Sequence, residues 1–363
     1  MTIRWRSAIV QRLGASWPGS QELFATLASG PEAGAEVKAL AHPDLVGFPQ
    51  PGERVLLNTS ALARGLGTGG YALVVALPDA LPADPPAGPG HLVKARYTPL
   101  QTMVLGVDDQ ESEHHALLAD ADDLDATPVV VADLHSALPA ILAGVRAEAP
   151  DARVVYVMTD GGALPAAFSR AVAGLREAGW LTSCVSTGQA FGGDLEASTV
   201  HTGLLAAKLV AGADVVVVAQ GPGNLGTGSR WGFSGVAVGE ALNAAAVLGG
   251  RPVAALRVSE ADARDRHRGV SHHTLTAVGR VALAPVDVVV PDSPGAFYDG
   301  VREQARSLCG RHTYVEVPGA GLDDALATSP VRLSTMGRGL DTDRAAFLTA
   351  AAAGRHAARL LTS

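Results

Sequence analysis

From Pro128 to the end of the chain, short runs of apolar, mostly β-branched residues keep returning, and an Ala-rich stretch follows nearly every one. The strand candidates are 129–133 (VVVAD), 153–158 (RVVYVM), 183–187 (SCVST), 214–219 (ADVVVV), 252–257 (PVAALR), 285–290 (PVDVVV) and 313–317 (TYVEV). None alternates strictly between apolar and polar, which is the pattern of strands buried on both faces. Strands separated by helical crossovers form parallel sheets. The expected class is therefore α/β, with a mostly parallel, Rossmann-like sheet over residues 128–363. A last helix is expected from Asp341 to about Leu361, with an Asp as its N-cap.

The first 107 residues have a different rhythm. Short β-like runs (IRWRSAIVQRL, SQELFATLA, AEVKALA, RVLLNTS, GYALVVALP) are punctuated by turns such as WPGS and PQPGE. They predict a small N-terminal β domain, a barrel or a sandwich, with the barrel preferred. The segment LPADPPAGPG at 81–90 cannot sustain ladder hydrogen bonds and reads as a loop, and LGTGG at 66–70 reads as a glycine turn. The acidic stretch 108–127 is the expected hinge between the two domains.

A chain of 363 residues is long enough for two domains and a large core. With 47% hydrophobic and 18% charged residues it is a globular composition. A net charge of -8 argues against a general nucleic-acid binder. No apolar run approaches the ~18 residues of a membrane span, and the start MTIRWRSAIVQRLG lacks the apolar core of a signal peptide. The two cysteines, Cys184 and Cys309, have no metal-like spacing. A cytoplasmic protein is expected.

In a parallel sheet every strand points the same way, so the loops after the strands share one edge, where open α/β folds bind ligands. The unusual residues fall in those loops. Asp133, His135 and Ser136 follow the first strand, and Asp160, Gly161 and Gly162 the second. Gly192, Gly193, Asp194 and Glu196 follow the third, and the loop GPGNLGTGS follows the fourth, with Gly221, Gly223, Asn224, Gly226, Thr227 and Gly228. Behind the fifth come Arg264, Arg266, His267, Arg268, His272 and His273.

A glycine loop between strand and helix aims backbone N–H groups at one point and suits an anion. GPGNLG matches the dinucleotide fingerprint by letter, but it is not in the first unit of the sheet, and Arg257 stands where that fingerprint expects an acid. The loop also lacks the Lys of a P-loop. A tight packing turn is the plain alternative. The arginines and histidines of 264–273 suit a phosphate or carboxylate clamp with a proton-transfer group, or else a solvated loop paired with Asp262 and Asp265. Ser271 is placed to cap a helix that starts at His272. His135, Asp160, Asp194, Glu196, His272 and His273 are possible metal ligands from separate loops, without a local spacing such as HExxH; otherwise they hydrogen-bond loop backbone.

At RYTPLQ (96–101), MTDGGALPAAFSR (158–170), GQAFGGDLEAS (188–198), GPGNLGTGSRWGFSGVAVGEALNA (221–244) and DRHRGVSHHTLTAVGR (265–280), the chain resembles an uncharacterised bacterial family, a domain of unknown function. The resemblance covers nearly the whole chain. It implies no particular activity, so roles rest on the residues. The leading expectation is an enzyme acting on a small anionic or phosphorylated metabolite. Its catalytic residues are His135, Asp160, Asp194 and His272; its ligand-binding residues are the glycines named above with Asn224, Thr227, Arg264, Arg266, His267, Arg268 and His273. The rivals are a non-catalytic nucleotide- or metabolite-binding regulator and a structural or dimerisation scaffold. No cofactor is specified, and a homodimer is expected.

Overall fold

The computed structural model describes residues 3–66, 69–161 and 164–362. Gly162, and Gly67 and Thr68 of the LGTGG turn, lie outside the described residues. The chain forms two compact units, residues 1–89 with 95–102, and residues 90–94 with 103–363.

In the first unit the five expected strands form, β1 (Trp5–Trp17), β2 (Ser20–Leu27), β3 (Glu36–Ala41), β4 (Arg54–Asn58) and β5 (Ala72–Ala76). They close into a barrel in the order β1-β2-β3-β5-β4. Closure comes from β1 pairing with β4, Trp5 opposite Asn58 through Ile9 opposite Arg54, so no edge is left to recruit another strand. Ala8, Val10, Leu23, Ala25, Leu27, Val55 and Leu57 fill the interior. Residues 81–90 form neither strand nor helix.

The second unit is an eight-stranded sheet. Its strands are β6 (Pro128–Ala132), β7 (Val154–Thr159), β8 (Ser183–Ser186), β9 (Leu195–Glu196), β10 (Val215–Gln220), β11 (Arg251–Ala255), β12 (Asp287–Asp292) and β13 (Thr313–Pro318). All seven expected strands are present, and all pairings are parallel. β9 is additional; two residues are too few to leave a pattern. Val129, Val130, Val154, Val155, Val215, Val216, Val288 and Val289 have no exposed surface, as strands covered on both faces require.

The strand order is β9-β8-β7-β10-β6-β11-β12-β13. From β6 the chain moves outward through β7, β8 and β9, returns as β10 between β7 and β6, and then crosses to β11 and the far side. Connections therefore diverge around β6, and such a switch point opens a crevice at the carboxyl ends of the strands. The acidic stretch 108–127, expected as a hinge, places Leu118 and Leu124 in the core of this unit.

The longest helices are α1 (Leu138–Glu148), α2 (Ala237–Val247), α3 (Ala296–Arg306) and α4 (Arg344–Arg359). α4 packs on α1 and lies across β6, β11 and β12. The two helices touch backbone to backbone: a Cβ on Gly144 would run into the carbonyl of Ala351, and one on Gly354 into that of Ile141. Ala is the better helix former by about 1 kcal/mol, so propensity alone favours replacement. Overpacking of this kind costs roughly 1–3 kcal/mol. Gly144→Ala and Gly354→Ala are therefore each expected to lower the midpoint of urea unfolding, whereas Gly300→Ala in α3, where a Cβ meets nothing within 4 Å, should leave it unchanged or raise it.

Candidate functional site at the carboxyl ends of the strands

β6 ends at Asp133, and the neighbouring β11, whose Ala255 is opposite Ala132, leads into Arg257. Both side chains are nearly buried, and Arg257 Nη1 donates to Asp133 Oδ2 at 2.9 Å. The same oxygen lies 3.3 Å from His273 Nδ1. Asn224 Nδ2 donates to Oδ1 at 2.8 Å, and Gln220 Nε2 donates to the Asp133 carbonyl at 2.8 Å. Asp133 thus collects groups from three segments, the end of β10 with its loop, the residues after β11 and the helix that starts at His272. Burial works to raise its pKa, but the His273 hydrogen bond and the Arg257 charge outweigh it and hold the carboxyl below its ordinary value. His273 Nδ1 also lies 3.1 Å from Arg257 Nη1, so it faces both members of the ion pair. In the tautomer that donates Nδ1–H to the carboxylate, Nε2 is the free Lewis base.

His273 sits in the first turn of a short helix, His272–Thr276, capped by Ser271, whose hydroxyl accepts from His273 N. The ring of Phe233 stacks on His273 with centroids 3.8 Å apart. His267, buried in the turn before this helix, has its Nδ1 2.7 Å from Ser271 Oγ. The three rings of His267, His272 and His273 lie within 4.9 Å of one another by centroid. Burial, then Arg257 and Arg264, push His267 down to about 3. Burial and the neighbouring His273 and Arg266 lower His272 as well. His272 Nε2 is buried and has no hydrogen-bond partner among the described residues.

The loop 221–234 borders this cluster. A Cβ on Gly226 would lie 3.8–3.9 Å from the His273 ring, and one on Gly228 would lie 3.8 Å from the Arg266 guanidinium. Thr227 braces the loop, its N donating to the Gly232 carbonyl at 2.7 Å. Gly223 has φ +109°, a conformation that side chains strain. Arg266 and Arg268 are exposed and carry no acidic partner among the described residues, while Arg264 is bound to Asp262 at 2.9 and 2.8 Å. The loop after β11 is pinned from α4: Asp343 Oδ2 accepts from Ser259 Oγ at 2.7 Å and Oδ1 from Glu260 N at 3.0 Å. Glu260 in turn accepts from Ala345 N at 3.0 Å in the first turn of α4. The N-cap is Asp343, and its carboxylate serves this tie rather than its own helix.

Other expected residues lie elsewhere. His135 donates and accepts within a closed chain: its Nε2 is 2.7 Å from Ser169 Oγ and its Nδ1 is 3.0 Å from the Tyr156 hydroxyl. That hydroxyl donates to the carbonyls of Ala219 and Gln220 at 3.1 Å. Glu196 is on β9, four strand spacings from β6, about 19 Å at about 4.8 Å each. There Lys94, fully buried, donates to the carbonyls of Ala190 and Ala197 at 2.9 and 3.0 Å and pairs with Glu196 at 3.2 Å. Asp194 holds Cys184 N at 2.7 Å and pairs with Arg176. Gly192 N donates to Glu196, and Gly193 N donates to Ser186 Oγ at 3.1 Å. Asp160 is exposed and accepts from Gln189 N at 3.2 Å. Gly161 lies against Gln220, and Gly221 against Met158 and Leu164. Asp133 and Arg257 were visible in the sequence as strand-end residues, but only the strand order makes them neighbours.

The class is thus an α/β protein with a closed barrel and a parallel sheet whose carboxyl edge bears a buried Asp-Arg-His cluster. A family described as "Protein of unknown function (DUF3866)" matches residues 38–354, and the chain belongs to it. No curated protein and no solved structure matches the chain.

Asp133→Ala would leave the Arg257 charge buried without its counter-charge, a change that costs about 3–5 kcal/mol in buried pairs; urea unfolding should report a loss of that order. His135 also has a depressed pKa, but its cause is burial rather than a charged partner. Burial pushes it down to about 4, whereas an unfolded His protonates near about 6.5. The unfolded state binds more protons between these values, so stability falls as pH drops through that window. The fall in Tm from pH 6.5 to pH 4 should be shallower in His135→Gln than in the wild type.

Proposed function

We propose that the protein is an enzyme acting on a small anionic or phosphorylated metabolite at the crevice around β6. The observation that carries this reading is the Arg266 guanidinium, without an acidic partner among the described residues, beside Gly228 and bordering the His272–His273 cluster. Loop 221–228 and Arg266, with Arg268, hold the anion by backbone N–H groups and forked charge. Asp133 orients His273 so that Nε2 is presented as a Lewis base toward Gly226, and Arg257 keeps the carboxylate ionised. A base oriented by a carboxylate beside an anion cradle is a reactive arrangement rather than a packing device. His135, with both ring nitrogens engaged by hydroxyls, serves in this reading as support for the β6 turn.

The test is thermal stabilisation by inorganic phosphate and a panel of phosphate-bearing metabolites, measured in EDTA. Arg266→Ala and Gly223→Val are each expected to abolish the rise in Tm that the wild type shows. Equal responses from both variants and the wild type would place the anion elsewhere.

A further inference from the structure

We propose that His267, His272 and His273 form a binding site for a divalent transition metal, with a coordination position left open toward the 221–228 loop. One ring nitrogen from each histidine lies within 4.8 Å of the other two. Metal–imidazole bonds of about 2.0–2.1 Å need only a modest inward movement from that spacing.

The remaining nitrogens are arranged as metal-binding histidines require. A ligating imidazole nearly always uses its second nitrogen on a carboxylate, carbonyl or hydroxyl that fixes the ring. His273 Nδ1 faces Asp133, and His267 Nδ1 faces Ser271 Oγ at 2.7 Å. Phe233 stacked on His273 restricts ring rotation further. His272 Nε2 is the third nitrogen, buried and without a hydrogen-bond partner among the described residues. An unpaired buried polar atom is unfavourable by roughly 1–3 kcal/mol, and a cation bound there removes that deficit.

Of the neighbouring cations, Arg257 is neutralised by Asp133 at 2.9 Å and Arg264 by Asp262 at 2.8 Å, while the charge of exposed Arg266, which bears on His272, is weakened by solvent. Three neutral imidazoles select zinc, cobalt, nickel, copper or iron over magnesium or calcium, which prefer oxygen. Three protein ligands also leave the fourth position for water or substrate. Arg266 beside Gly228 then faces the same open position as the metal, and an anionic group bridging the two satisfies both. That bridge rests on the anion reading above; the metal site does not.

The test uses the full chain, stripped with EDTA and returned to phosphate-free buffer. Cobalt(II) is titrated in and followed by its visible absorption, then displaced with zinc. The wild type is expected to saturate at one ion per chain. His272→Ala and His267→Ala should each lose saturable binding, and Asp133→Asn, which keeps the shape but removes the charge facing His273 and Arg257, should weaken it by about 10–100-fold. His201→Ala, an exposed histidine elsewhere, should bind as the wild type does. Circular dichroism checks that each variant is folded, and His272→Gln replaces the Ala variant if that one is not. No saturable signal in the folded wild type, or wild-type affinity in folded His272 variants, overturns the site. Phosphate stabilisation in EDTA without cobalt binding would sink the metal alone; cobalt binding without any phosphate response would sink the anion reading alone.

Discussion

An ionised carboxylate cannot be buried alone, and the organisation of the sheet edge follows from how Asp133 meets that requirement. The acid comes from the end of β6, its counter-charge from the residues after β11, and its neutral donors from β10 and from the helix that starts at His272. Each contribution fixes a loop that would otherwise be set only by its own turn. The cluster is a cross-link made of charge, at the one place where the topology leaves the helices apart.

Much of the fold was legible because long buried strands write themselves as uninterrupted apolar runs. All seven such runs became strands of the sheet, and the five β-like runs before them closed into a barrel. Segments without a period were harder: β9 has two residues, and the acidic stretch 108–127 hides Leu118 and Leu124 among charges that suggest a linker. At the candidate site, the sequence already places the named residues in the loops that follow the strands, because Gly, Arg and His are conspicuous in connections. It does not show Asp133 and Arg257 as partners, since 124 residues separate them and only the insertion of β6 beside β11 brings them together. Lys94 was equally hidden, a lone Lys in a β-like run whose ammonium is satisfied by carbonyls of a distant loop.

The same distinction separates two kinds of glycine-rich connection. Around 187–198 the acids and glycines spend their hydrogen bonds on one another, on β8 and on Lys94, so that the loop is tied down along its length. Around 221–234 Thr227 N bonds the Gly232 carbonyl within the loop and Asn224 reaches out to Asp133, while Gly226 and Gly228 face histidine and arginine side chains. Similar letters in the sequence therefore describe a closed structure in one place and an accessible surface in the other.

The tie from Asp343 to Ser259 and Glu260 has a consequence for the order of assembly. The loop carrying Arg266 and His267 obtains this anchor from residues 83 to 85 positions further along the chain. During synthesis the β6–β11 platform emerges well before α4 does, and the glycine contact between α1 and α4 is what seats that helix. The histidine-bearing loop therefore lacks this anchor until α4 is in place, although the strand that leads into it has already been made.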